Sequence, residues 1–195
     1  NPFEGNDMKE LTLTFENCEF ENNHAPDGGA LFYGKNWKNS SNIKLSLKNC
    51  KFDSNSASNG ASAISVHIYQ GIEIDNCNFT NHKSEGSSGT IVIETDFQCL
   101  DDSNGNNEWY PAPQTRNPII SITNCIIENS ERTAGHEIST MNSPNAPLTV
   151  FNCKFTNCGT TGYVISTSAP NNLISNCTVG FTFETTSRGI YSTNE

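Results

Sequence analysis

The residues best suited to chemistry lie in one polar run, Asp101-Asp102-Ser103-Asn104-Gly105-Asn106-Asn107-Glu108. Asp102, Asn104, Asn106 and Glu108 alternate as oxygen ligands to a hard divalent cation do, and Asp101 adds a further carboxylate. Gly105 comes too early for an EF-hand loop and no helices are expected to flank it, so a solvated polar loop is the simpler reading. No cofactor is therefore expected; calcium is the alternative the spacing leaves open, and its expected effect is to order the loop.

Other reactive side chains are scattered. His24, His67, His82 and His136 share no local motif, and each is expected at a surface or bend. His136-Glu137 is the one adjacent acid–base pair, and it lacks a nucleophile. The arginines are Arg116, Arg132 and Arg188, none of them beside an aspartate cluster. An inverting glycosidase would want two or three acids from adjacent strands, and no such set is visible. Asn-x-Ser/Thr sequons stand at Asn39, Asn78 and Asn176. Asn39 and Asn78 are the expected glycan acceptors, with Asn176 shielded.

A repeat positions these residues. Asn-Cys recurs six times in one context, at Asn17, Asn49, Asn76, Asn124, Asn152 and Asn176. Two residues before each Asn stands Phe15, Leu47, Ile74, Ile122, Val150 or Ile174, and three after it Phe20, Phe52, Phe79, Ile127, Phe155 or Val179. Alternation such as Ile43-Lys44-Leu45-Ser46-Leu47 is that of a strand with one buried face. The phase slips at the Asn, so the chain turns a corner there and begins another strand. A Gly followed by a short apolar run, as in Gly60-Ala61-Ser62-Ala63-Ile64, marks a third strand in each unit. Units of about three strands cannot close a core alone and must stack. The pattern predicts an all-β chain: a single right-handed parallel β-helix domain over 1–195, of about six coils, with a ladder of corner asparagines. An insertion of about 96–118 leaves the coil as a surface loop.

The chain carries 11 Lys plus Arg against 21 Asp plus Glu, a formal net charge of −10 that disfavours nucleic acid and anionic lipid. No apolar run of membrane-spanning length occurs, so direct membrane insertion of this stretch is not expected. The missing initiator Met and the uncapped ends suggest part of a longer chain. Six of the eight cysteines fall in the column after the corner Asn, where side chains run parallel, so a buried ladder of free thiols is expected. Cys99 and Cys158 lie outside that column.

The copies Phe20-Glu21-Asn22-Asn23 with Gly28-Gly29-Ala30-Leu31, and Phe52-Asp53-Ser54-Asn55 with Gly60-Ala61-Ser62-Ala63-Ile64, resemble the Phe-x-x-Asn and Gly-Gly-Ala-Ile repeats of the polymorphic outer membrane protein family. Later copies replace the second Asn by His82, Ser130, Cys158 and Thr182. The resemblance implies a β-helical adhesin outside the cell or on its surface, without catalysis. Its expected partners are a glycan or protein on a cell surface or matrix, or copies of itself. Two alternatives stand beside it: a carbohydrate-active β-helix, either polysaccharide lyase or glycoside hydrolase, and a subunit of an extracellular filament or coat.

Overall fold

Apolar residues at alternate positions before each corner Asn put one face of a strand inside, and these strands align as the first of three sheets. The computed structural model describes residues 11–33, 43–67, 71–86, 88–95, 97–101, 107–111, 118–141, 146–159, 162–167, 171–180 and 188–192. The first sheet orders Leu11–Glu16, Ile43–Lys48, Gly71–Asp75, Ile119–Thr123, Leu148–Phe151 and Leu173–Ser175 side by side. The second runs from Glu19–Glu21 through Lys51–Asp53, Asn78–Thr80, Ile126–Arg132 and Lys154–Cys158 to Thr178–Gly180. The third holds Leu31–Tyr33, Ile64–His67, Ile91–Glu94, Ile138–Met141, Tyr163–Thr167 and Arg188–Ser192. The two-residue strands His24–Ala25, Ser56–Ala57 and Lys83–Ser84 extend the second sheet and pair on to Ile126–Arg132. All these neighbours pair in parallel, so each circuit of the chain lays one strand on the first and third sheets and one or two on the second: a parallel β-helix of six coils, numbered here from the N-terminus. The second to fifth coils, covered on both sides, hold the fully buried core, while Phe15 and Phe20 of the first coil and Ile174 of the sixth pack against it part-buried.

The pairing register confirms the columns read from the sequence. Leu47, Ile74, Ile122, Val150 and Ile174 are direct cross-strand partners, as are Phe52, Phe79, Ile127, Phe155 and Val179. Like therefore stacks on like. The rings of Phe20, Phe52 and Phe79 lie parallel with centroids 4.7 Å apart, the spacing of neighbouring strands. Burying each such ring stabilises the fold by roughly 1.5–3 kcal/mol.

All six corner asparagines adopt left-handed backbone, φ 52° to 56°. Most L-residues there cost roughly 1–2 kcal/mol, and Asn is among the few that visit the region readily. At the corner the backbone N–H groups of Asn17, Asn49, Asn76, Asn124 and Asn152 donate to carbonyls of the next coil at 3.0–3.1 Å. The Asn side chains stand on the outer surface, because the left-handed residue flips the alternation and sends the following Cys inward. Asn176 is exposed with the others instead of shielded, and its amide donates to Asn152 Oδ1 at 2.9 Å. Rungs also join Asn76 to Asn49 and Asn152 to Asn124, both 2.8 Å, but Asn124 donates to Asp75 Oδ1 at 2.7 Å.

A second left-handed column lies five residues on, at Asn22, Ser54, Asn81, Asn129 and Asn157. Asn157-Cys158, a further Asn-Cys pair, belongs to this corner. Where Ser54 replaces Asn, the amide of Asn81 turns to Asp53 Oδ1 at 2.9 Å, so an aspartate one residue earlier takes over the rung, as Asp75 does at the first corner.

Cys18, Cys50, Cys77, Cys125, Cys153, Cys158 and Cys177 are free thiols. Those of the corner column donate to the carbonyl two residues back, as from Cys125 to Thr123 at 3.0 Å. Burial pushes the Cys50 and Cys158 thiols above their ordinary pKa, so they behave as small apolar fillers.

Two outcomes follow from the corner and the column. Asn124→Ala should lower the denaturation free energy by more than Asn124→Gly, by about 1–2 kcal/mol, since only the Ala variant meets the left-handed penalty as well as losing the rung; equal losses in urea titrations would contradict this. Thiol titration after denaturation should find at least the seven free thiols above, and a result with three or four disulfides would sink the thiol ladder.

Candidate functional site

The insertion leaves the third sheet after Glu94 and returns to the first at Ile119. Within it Phe97–Asp101 and Asn107–Pro111 form an antiparallel pair, with Leu100 opposite Glu108 and Asp101 opposite Asn107. The proposed calcium residues Asp101 and Glu108 therefore stand on opposite strands one register position apart. Asp102, Asn104 and Asn106 lie outside the described residues, as does Asn39. Among the described residues no group of three His, Cys, Asp or Glu side chains is placed to hold a metal ion. Asn78 opens the strand Asn78–Thr80 with its side chain exposed, and the sequon hydroxyl of Thr80 donates to Asp53 Oδ1 at 2.9 Å.

The outer faces of the first two sheets are laced between coils. Lys44 Nζ meets Glu73 Oε1 at 2.6 Å. Donation from the Asn81 amide, then from Thr80 and Ser54, holds the Asp53 carboxyl below its ordinary pKa; for Asp75 the Thr123 hydroxyl and Asn124 amide do the same. Against this polar lattice three large apolar side chains of the first sheet face solvent in the fourth to sixth coils: Ile119, Phe151 and Leu173, 54%, 42% and 54% exposed.

His67 and Glu94 face each other across adjacent coils on the outer side of the third sheet, Nδ1 to Oε2 3.0 Å, both partly exposed. A carboxylate on Nδ1 fixes the imidazole tautomer and directs Nε2 outward. Glu94 is also the last strand residue before the insertion, so the pair stands at the hairpin's root.

The helix interior holds a charged cluster where the sequence suggested only filler. Arg132 Nη1 donates to Glu137 Oε2 at 2.6 Å, with both side chains essentially inaccessible (1% and 0%). Ser130 Oγ donates to the same oxygen at 2.6 Å, and the Thr90 hydroxyl of the coil beneath donates to Oε1. His136 and Glu137 do not act as a pair: Glu137 points inward, while His136 Nδ1 accepts from the Tyr163 backbone N–H at 3.2 Å. His82 is not at the surface but buried in the column that begins with Asn23 and Asn55. Column alignment carried eight residues past the corner Asn would have exposed the anomaly, because Ala25, Ala57 and Ser84 are followed there by Arg132.

The stacked parallel coils, the paired corners and an insertion on one flank define a β-solenoid. The chain matches the family model described as "Right handed beta helix region" over residues 3–179, and it belongs to that family. No curated protein and no solved structure matches it.

Removing one partner of the buried pair leaves an uncompensated charge, so Glu137→Gln should cost roughly 3–5 kcal/mol, and replacing Arg132 and Glu137 together by Met and Leu should cost less than the single change; chemical denaturation of the two variants checks the order. Acid acts at the same place. Burial lowers the pKa of His82 below the usual 6.5, and of His136 likewise with Arg132 adding to the effect. The unfolded chain therefore binds more protons as pH falls through about 6.5, and stability present above that value is lost below it. Thermal midpoints should drop between pH 7 and pH 5, and His82→Asn, which restores the residue of Asn55, should shrink the drop; an unchanged drop would clear His82 of the effect.

Proposed function

We propose that this chain is an extracellular or cell-surface module that works by adhesion, as a rigid display of side chains and without catalysis. The observation that carries the reading is the trio Ile119, Phe151 and Leu173, exposed on an otherwise polar and internally cross-linked sheet face. Scattered apolar residues are ordinary on a surface, but three on the outer side of one stiff sheet in consecutive coils suit a contact surface. The Phe-x-x-Asn and Gly-Gly-Ala-Leu copies support the same reading, through their resemblance to the polymorphic outer membrane protein repeats. The proposed partner is a glycan or protein of a cell surface or matrix, with self-association as the further option. Asn39 and Asn78 would carry glycans in a source that adds them, and the run from Asp101 to Glu108 would be the calcium-responsive part.

A second reading, a carbohydrate-active enzyme, is favoured by one feature: the oriented His67–Glu94 pair at the root of the insertion. One experiment separates the two. The purified protein is incubated with a panel of polysaccharides and glycans, with and without calcium, and both retention and products are followed by mass spectrometry. Retention without cleavage, lost when Ile119, Phe151 and Leu173 are all changed to Ser, is the expected outcome. Cleavage abolished by His67→Ala would overturn adhesion in favour of the enzyme, and retention indifferent to the Ser variant would remove the trio from the contact surface.

A further inference from the structure

The interior column Asn23, Asn55, His82, Ser130, Cys158 carries polar side chains where the neighbouring columns carry Phe, Ile and Cys. Its lower part satisfies itself: Asn55 Oδ1 accepts from the backbone and amide nitrogens of Asn23 at 3.0 and 2.9 Å, and Asn55 Nδ2 donates to the Phe20 carbonyl at 2.8 Å. His82 breaks the pattern. Its Nδ1 lies 3.3 Å from the Asn55 carbonyl, which only accepts, so Nδ1 carries the proton and Nε2 presents a lone pair. That Nε2 is sealed from solvent and has no hydrogen-bond partner among the described residues.

The donors nearby are committed. Ser130 and Thr90 hydroxyls go to Glu137, the Ser84 hydroxyl to the Gly60 carbonyl at 2.9 Å, and the Cys158 thiol to the Ile127 carbonyl at 3.3 Å. Ser130, a small side chain, follows the imidazole in the column on the next coil. A buried acceptor left without a donor keeps its full desolvation penalty, and buried waters in proteins serve such groups.

The geometry points to an internal hydration site between the third and fourth coils, in which one water molecule donates to His82 Nε2. Its second hydrogen goes to Ser130 Oγ, which follows His82 in the column and whose own proton is held by Glu137. The water ties the imidazole to the Arg132–Glu137 cluster without placing a charge on it. Burial that favours neutral imidazole agrees with this arrangement.

The test is made on the whole unmodified chain. A crystal structure at a resolution that shows ordered solvent should place density within hydrogen-bond distance of both His82 Nε2 and Ser130 Oγ. The 15N spectrum should show the His82 Nε2 as an unprotonated nitrogen shifted by a hydrogen bond, and the shift should vanish with the signal in His82→Asn. An Nε2 that carries the proton, or one packed only against carbon with no solvent density, would overturn the site.

Discussion

Everything in this molecule depends on parallel pairing between coils in unbroken register. A single coil has three or four short strands and no partner for their backbone groups; the next coil supplies the N–H and C=O groups and the other half of each side-chain contact. Parallel pairing without a register shift places each residue over its counterpart, which is why Phe52 lies on Phe79 and Leu47 on Ile74. The same geometry explains why the interior tolerates six cysteines without cross-linking: stacked side chains point alongside one another, and a disulfide needs them to turn toward each other.

That register makes the left-handed corner indispensable. Strand alternation has period two, so a chain that turned a corner with ordinary backbone would carry the wrong face inward on the next sheet. One residue at positive φ corrects the phase, and Asn is the side chain that accepts the conformation and can also bond its neighbours in the ladder. Asp75 and Asp53 show that the rung is a chemical requirement on the donor of the coil above, not on a fixed residue: each lies one position early and still takes the amide. The corner therefore demands positive φ at one position and an acceptor nearby, and the sequence meets both in more than one way.

The three-sheet solenoid was readable because its columns repeat at fixed offsets from Asn-Cys. The second corner was harder to see because its marker varies, with Ser54 among the asparagines, and because its column neighbours one already explained. The expected shielding of Asn176 fails for a physical reason: the left-handed corner residue stands outward in every coil, and its membership of a ladder does not cover it. His67 with Glu94 and Arg132 with Glu137 were hidden for different reasons. The first pair comes together only through stacking of adjacent coils, 27 residues apart in the chain; the second lies within one coil, but on two sides of a bend, and reads locally as a polar turn. Repeats reveal what coils share, and both pairs are made of what they do not share.

That difference bears on how the coils find their order. Apolar columns that look alike in every coil stabilise any stacking of coils, including wrong ones, so they contribute little to choosing among them. The cluster at Arg132 is specific. It asks for a hydroxyl below, supplied by Thr90, where the second coil has Ala63 and the first Ala30. It also asks for the absence of a side chain at Gly159, where a Cβ would lie 2.5 Å from Arg132 Nε. A buried ion pair is weak evidence for stability, because its desolvation offsets most of its attraction, but it strongly penalises any arrangement in which a partner is missing. In a solenoid of near-equivalent coils, the charged layer thus distinguishes the third, fourth and fifth coils from one another where Phe, Ile and Cys do not.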